Sequence, residues 1–149
     1  MNERLEYTLE VADWRDLNAL QQMERACFGN QSWTLLDLIG VLTLTGVVRM
    51  KAVHAGEMIG FAAAESRAAE NTSWITTIGV LPAYRRNGVA AALLAACEAR
   101  VSMPRMRLCV RTANWMALRL YEERGYQRVG VWQNYYTNGE DALVLEKYL

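Results

Sequence analysis

Neither sign of charge is in excess in this chain of 149 residues: 16 Lys and Arg stand against 16 Asp and Glu. Without a basic surplus nothing argues for a nucleic-acid partner, and any positive patch has to be local. Long apolar runs are missing too. None approaches the ~20 residues of a membrane span, and the start, with Glu3, Arg4 and Glu6, does not read as a signal peptide. The expected compartment is the cytoplasm, without a membrane partner, and the Asn71-Thr72-Ser73 glycosylation triplet is then chance. Cysteine is sparse and unpaired: Cys27, Cys97 and Cys109 are odd in number, far apart and form no Cys-x-x-Cys. That pattern excludes a disulfide framework and a zinc site, so no metal is expected and the thiols read as reduced and mostly buried. The lone His54, on a β-rich stretch, reads as structural. Repeats, linkers and low-complexity segments are absent. With 52% hydrophobic residues, the chain suits one domain over 1–149 that buries roughly two thirds of its unfolded surface. A monomer or weak homodimer is expected.

What is present is an alternation of strand-like and helix-like segments. Leu5, Tyr7, Leu9 and Val11 alternate and predict a first strand. Asp13 is placed to cap a helix whose apolar face is Leu17, Leu20, Met23 and Cys27. Gly29 to Gln31 break that helix, and a second begins at Ser32 or Trp33 and stops near Gly46. Two β-rich stretches, Val47 to Ala55 and Met58 to Ser66, flank a hairpin signal at Gly56-Glu57. A strand from Trp74 to Val80, a helix from Gly88 to Val101 and a strand from Met106 to Arg111 follow. A helix from Asn114 to Arg124 ends at Gly125. The last strands are Tyr126 to Gln133 and Ala142 to Tyr148. This order predicts an α/β (α+β) fold, a mixed sheet of about seven strands flanked by about four helices.

The stretch from Leu81 to Ala90 joins a strand directly to an alanine-rich helix through Pro82, Arg85, Arg86, Asn87 and Gly88. Such a junction leaves the helix's first N–H groups outward and unpaired at the positive end of its dipole, which suits a phosphate or pyrophosphate. No Gly-Lys-Ser/Thr follows, and the three glycines of a dinucleotide fingerprint are lacking. The pattern it does match is Arg/Gln-x-x-Gly-x-Gly/Ala, supplied by Arg85, Gly88 and Ala90.

Here the sequence resembles the GNAT acetyltransferases, whose order of strands and helices is also the one read above. Over the last third the resemblance narrows. Leu108-Cys109-Val110-Arg111-Thr112-Ala113-Asn114, Ala117 to Tyr126, Asn134-Tyr135-Tyr136 and Gly139-Glu140-Asp141-Ala142 together look like the ribosomal-protein-alanine N-acetyltransferase (RimI-like) branch and the protein N-terminal acetyltransferases. The resemblance implies acetyl-coenzyme A (acetyl-CoA) as cofactor, its pyrophosphate held by Arg85, Arg86, Asn87, Gly88, Val89, Ala90 and Ala91. Its pantetheine arm would lie along Ile78, Gly79 and Val80, where a backbone N–H polarises the thioester carbonyl. The helix alanines are equally explained by close packing.

Asn114 and Tyr121 are two helical turns apart and face the same way. Asn114 reads either as a helix N-cap or, by resemblance, as a pantetheine ligand, and the two roles can coexist. Tyr121 reads either as a core tyrosine or, by resemblance, as the general acid. A phenol of pKa ~10 can protonate a departing thiolate of basicity near ~8.5. The RimI-like pattern commonly has a basic glutamate where this chain has Cys109, a thiol better suited to be a small buried hydrophobe. An α-amino group of pKa ~8, against ~10.4 for lysine, has an over ~100-fold larger neutral fraction, about 3 kcal/mol. It needs little help, and Glu65 or Glu140 could take its proton through water. Phe28, Trp33, Tyr135 and Tyr136 would frame the acceptor groove. The Gly29-Asn30-Gln31 stretch departs from the family's Phe-Pro-Trp-like segment, which bears on its alanine preference. The expected function is direct acetyl transfer to a protein N-terminus, such as that of a ribosomal protein. The alternatives are a small-molecule amine or lysine acetyltransferase, or a non-catalytic acyl-CoA-binding module.

Overall fold

The computed structural model describes residues 4–29 and 33–149. Its strands are β1 (Thr8–Val11), β2 (Val47–His54), β3 (Glu57–Arg67), β4 (Thr72–Val80), β5 (Arg105–Arg111), β6 (Gln127–Trp132) and β7 (Ala142–Tyr148). The helices are α1 (Leu17–Phe28), α2 (Leu35–Thr43), α3 (Val89–Arg100) and α4 (Trp115–Glu123), with short 3-10 turns at Trp14–Asp16, Ala68–Glu70 and Pro82–Tyr84. The strand order is β1-β2-β3-β4-β5-β7-β6, the mixed α/β architecture anticipated from the order of segments. The chain divides into two compact units, Met1–Glu65 with Thr76–Val101, and Ser66–Ile75 with Ser102–Leu149.

In the first unit two helical turns begin at side chains that satisfy orphan N–H groups. Asp13 and Asp16 form a capping box, but around a single 3-10 turn that leads into α1, rather than around the α-helix itself. Thr34 and Asp37 form a second box at α2, the Asp37 N–H donating to the Thr34 hydroxyl at 3.3 Å. That box starts α2 at Leu35, later than Ser32 or Trp33; Asn30, Gln31 and Ser32 lie outside the described residues. The stripe predicted on α1 faces the core: Leu20 and Met23 are buried with Ala12, Leu38, Val41, Leu42, Phe61 and Ala63, and Leu17, Cys27 and Trp33 pack against them. Each large side chain buried this way contributes roughly 1.5–3 kcal/mol.

Two boundaries differ from expectation. The first strand is only Thr8–Val11, the part that pairs with Met50 to Val53 of β2. The β2–β3 turn is Ala55-Gly56, with φ of 49° and 79°, and Glu57 already pairs with His54. A two-residue turn with both φ positive matches the twist of its strands; an alanine in the first of those places hides it from a search for glycine.

Gly60 lets α3 approach β3. A Cβ built there would lie 3.0 Å from Leu93 Cδ1, 3.2 Å from Val89 Cγ1 and 3.3 Å from the Gly79 carbonyl oxygen, so the strand carries glycine where the helix comes nearest.

In the second unit β5 alternates: Met106, Leu108 and Val110 are buried, while Arg105, Arg107, Cys109 and Arg111 point to the other face. Helix α4 is punctuated as the sequence suggests. Asn114 Oδ1 accepts from the Ala117 N–H at 3.2 Å, and Gly125 takes φ 94° just past its end. Arg119 with Glu123 and Arg128 with Glu122 are exposed ion pairs. His54 bonds through Nδ1 to the Glu6 backbone and tilts against Tyr84.

Gly60→Val should lower unfolding stability by about 1–3 kcal/mol through overpacking, read as a reduced urea midpoint with unchanged slope; a midpoint equal to that of the unaltered chain would contradict the close approach.

Candidate active site

In the first unit β4 leads into an anion-shaped turn. The parallel register of β4 with β5 covers only Thr72, Ser73 and Trp74, so among the described residues Ile78, Gly79 and Val80 have no ladder partner in β5. The Val80 carbonyl is already taken: Arg85 Nε donates to it at 3.0 Å and Cys27 Sγ at 3.4 Å. Val80 can therefore offer a ligand its N–H but not its oxygen.

After the Pro82–Tyr84 turn, Arg86 and Gly88 both adopt left-handed backbone, φ 67° and 76°. The Asn87 amide between them donates to the Tyr84 and Arg85 carbonyls, each at 3.1 Å. Gly88 is the N-cap of α3 and supplies no side-chain bond. The first N–H to find a helical carbonyl is that of Ala92, at 3.0 Å from Gly88 O, which leaves those of Val89, Ala90 and Ala91 as outward donors. Nothing lies within 4 Å of a Cβ built on Gly88, so a ligand can come up to the bare backbone. Left-handed residues beside an uncapped helix start form a concavity of N–H groups suited to a diphosphate. The residues fit the group that the sequence pattern implies.

The second unit gathers a different set. Tyr121, on α4, is 6% exposed, packs edge-on to Tyr126 at 6.1 Å and has no hydrogen-bond partner for its hydroxyl among the described residues. Burial, and secondarily the Tyr136 phenol, push its pKa well above the usual tyrosine value, so it stays protonated. Asn114 spends Oδ1 on the cap, so both readings of this residue remain compatible: its amide NH₂ has no partner among the described residues. The β6–β7 loop is held by the Asn134 N–H donating to Asp141 Oδ1 at 2.9 Å and by backbone bonds between Tyr136, Gly139 and Glu140. It carries Tyr135, exposed, and Tyr136, half-buried, edge to face at 5.0 Å. The Arg111 guanidinium lies 3.9 Å from the Tyr136 ring centre and bonds to Asn138 Oδ1 at 3.1 Å. Burial first, then nearby Cys109, push the Tyr136 phenol up to about 12.

The candidate bases separate on environment. Burial pushes the Cys109 thiol up to about 11, Arg67 opposing weakly, which keeps it protonated and makes it a poor base at neutral pH. Glu65 is exposed near the end of β3, paired with Val47. Glu140 sits 3.7 Å from Arg111. Of the groove aromatics, Trp33 packs against the core rather than standing free, and the Phe28 ring would come within 3.2 Å of a Cβ on Gly79. The thiols are less buried than expected: Cys97 is buried, Cys27 and Cys109 half so.

One carboxylate escapes a search for motifs. Glu24 of α1 is 1% exposed, and Thr77 of β4 donates to its Oε1 at 3.1 Å. Its signal was its place: four residues after Leu20, it lies on the apolar stripe, where a charge needs a reason.

A family model described as "Acetyltransferase (GNAT) family" matches residues 11–126. An N-alpha-acetyltransferase of Saccharolobus solfataricus is 35% identical over 79 residues, 50% of this chain and 47% of that protein. The chain thus spans about half the length of that curated relative. The N-terminal acetyltransferase A complex catalytic subunit NAA10 of Arabidopsis thaliana is 29% identical over 141 residues, 90% of this chain and 73% of that one. The crystal structure of the ribosomal-protein-S18-alanine N-acetyltransferase from Escherichia coli superposes with a TM-score of 0.85 at 25% identity, covering 96% of this chain and 94% of its own. Arabidopsis thaliana NAA60 in complex with acetyl-CoA shares the fold, with a TM-score of 0.85 at 22% identity over 97% of this chain and 99% of its own.

With its thiol near 11, Cys109 should be alkylated by iodoacetamide at pH 7.5 roughly three hundredfold more slowly than a free thiol of pKa ~8.5, the rate rising with pH toward that value. Mass spectrometry of timed samples checks it, and free-thiol speed at pH 7.5 would contradict the protonated state.

Proposed function

The chain belongs to the GNAT acetyltransferase family, and from that premise we propose that it transfers acetyl from acetyl-CoA to the N-terminal α-amino group of a protein, by direct transfer in a ternary complex. The observation that carries the reading is Tyr121: the residue is 6% exposed, its phenol is pushed toward the protonated form, and its hydroxyl has no protein partner among the described residues, so it is free to give a proton. A tyrosine kept only to complete a buried hydrogen bond would be spending that hydroxyl on a protein group.

Acetyl-CoA supplies an activated acetyl group as a thioester. The residues that would hold it are Arg85, Arg86, Asn87, Gly88 and the N–H groups of Val89, Ala90 and Ala91 for the pyrophosphate. The backbone of Ile78, Gly79 and Val80 and the Asn114 amide would serve the pantetheine arm. Tyr121 holds the proton destined for the departing sulfur at its Oη. Tyr135 and Tyr136, with Phe28 and Trp33, would receive the acceptor peptide.

An α-amine rather than a lysine is favoured by its lower pKa, which lightens the demand on any base. The Cys109 thiol is out of range at neutral pH, and an amine of pKa ~8 supplies its own neutral form. The names of the relatives make a ribosomal protein the first acceptor to try. A single catalytic domain over residues 1–149, working in the cytoplasm, is part of this reading; no described helix is long and apolar enough to cross a membrane.

Release of free thiol from acetyl-CoA with a panel of α-amine peptides, ε-amine peptides and small amines tests the function. A preference for α-amine peptides is expected, and release with small amines alone, or with none, would overturn it. On the best substrate, Tyr121→Phe should slow single-turnover transfer by about 10²–10⁴ with CoA affinity little changed. A normal transfer rate, with stability reduced by about 1 kcal/mol, would refute the acid role.

A further inference from the structure

The proposed reaction leaves the acceptor ammonium without an evident place to lose its proton, and the first unit contains a carboxylate that no structural duty exhausts. Glu24 is all but inaccessible, Thr77 donates to its Oε1 at 3.1 Å, and its Oε2 is shut from solvent without a well-formed hydrogen bond among the described residues, the Trp33 backbone N–H being near enough only to favour its charge. A purely structural buried carboxylate normally has both oxygens satisfied, because leaving one bare costs stability. Three contacts tie this face of α1 to the second half of β4: Glu24 to Thr77, Cys27 Sγ to the Val80 carbonyl at 3.4 Å, and the Phe28 ring to Gly79. Those are the strand residues that the proposed function assigns to the pantetheine arm, or their neighbours.

Thr77 is the outward half of the pair. It is half-buried while Glu24 is closed off. Its hydroxyl hydrogen is committed to the carboxylate, which leaves the oxygen's lone pairs to accept a proton donor from outside. A hydroxyl so placed can take one proton as it passes its own inward.

We propose that Glu24 and Thr77 form the proton-accepting relay for the acceptor amine, a deduction that rests on the function proposed above. The ammonium, directly or through one water, gives a proton to Thr77 Oγ1, whose own proton moves to Glu24 Oε1. A neutral amine and a carboxylic acid result, and Glu24 returns the proton to solvent by the same route after transfer. Balance is kept: one proton leaves the ammonium for solvent through this pair, and the second, lost as the amide forms, replaces the proton that Tyr121 gives to sulfur.

The environment favours proton uptake by Glu24. Burial raises the affinity of Glu24 for a proton; the Thr77 hydroxyl and then the Trp33 backbone N–H oppose that. Among titratable neighbours, the Cys27 thiol, itself influenced by Arg85 and Glu24, is raised mainly by burial. From α2 the buried groups are the apolar Leu38, Val41 and Leu42, and its Asp37 is engaged at the helix cap. Since Thr77 favours the charged form, removing its hydroxyl should raise the pH at which Glu24 ionises.

The test pairs a titration with a rate. In the ligand-free protein, the protonated-carboxyl infrared band abolished by Glu24→Gln gives the midpoint of Glu24. The acidic limb of kcat/KM for an α-amine peptide should share that midpoint. Thr77→Val should move the carboxyl band to higher pH and, lacking the hydroxyl that passes the proton, lower kcat/KM at neutral pH toward the Glu24→Gln level, whereas Thr77→Ser should leave band and rate in place. Glu24→Gln should lose about 10²-fold at neutral pH, recovering as pH rises and the amine ionises by itself, with CoA affinity by calorimetry unchanged. Full activity of Glu24→Gln, or of Thr77→Val, would overturn the relay alone. Should Glu24→Gln fail to fold, a neutral-pH rate lost in Thr77→Val and kept in Thr77→Ser supports the relay, and an unchanged rate in Thr77→Val refutes it. Failure of every amine to release thiol from acetyl-CoA would instead overturn the function and this inference with it.

Discussion

The left-handed backbone at Gly88 is the constraint on which the first unit's site depends. With φ at 76° the chain turns from the Pro82–Tyr84 segment into α3 without placing a side chain over the helix start, and no capping group consumes the donors there. A serine or aspartate at that place would stabilise α3 by about 1 kcal/mol and fill the same donors. The uncapped start forgoes that local stability, and Arg86, held at φ 67° without being glycine, adds strain of about 1–2 kcal/mol. Strain and unused donors in one turn are the mark of a place shaped for a ligand.

Around that turn the side chains are arranged to hold backbone rather than to reach outward. Arg85 bonds to the Val80 carbonyl and Asn87 to the carbonyls of Tyr84 and Arg85. Of the two arginines, Arg86 is the one left with its guanidinium uncommitted among the described residues. In the second unit the same economy applies. Arg111 spans Tyr136, Asn138 and Glu140, so the arginine that the motif contains steadies the β6–β7 loop, while the Tyr121 phenol is left unengaged.

The legible parts were those with local punctuation. Asn114 and Gly125 bracket α4, and Pro82 with Gly88 bracket the turn, because capping and positive φ are demands that few residue types meet. The Leu20 and Met23 stripe on α1 was readable as periodicity. The Thr34-x-x-Asp37 box was equally readable yet competes in sequence with the apolar residues around Trp33, which would extend the helix backward. The Ala55-Gly56 turn was misplaced by one residue because alanine is an unusual occupant of positive φ. Glu24 could be noticed as a charge on an apolar stripe, but its partner, 53 positions away in sequence, is a tertiary fact that no local rule supplies. The raised pKa that keeps Cys109 protonated, and so counts against it as a base, is likewise a consequence of burial, which periodicity suggests and only packing determines.

Calorimetric titration of CoA and of pantetheine, which lacks the pyrophosphate, into the native chain and a Gly88→Val variant tests the pyrophosphate turn most directly. CoA should bind the native chain at least a hundredfold more tightly than pantetheine, about 2.7 kcal/mol. In the folded variant CoA should weaken at least tenfold while pantetheine stays nearly constant. Equal affinity for the two ligands, or CoA binding untouched by the substitution, would contradict a turn built for pyrophosphate.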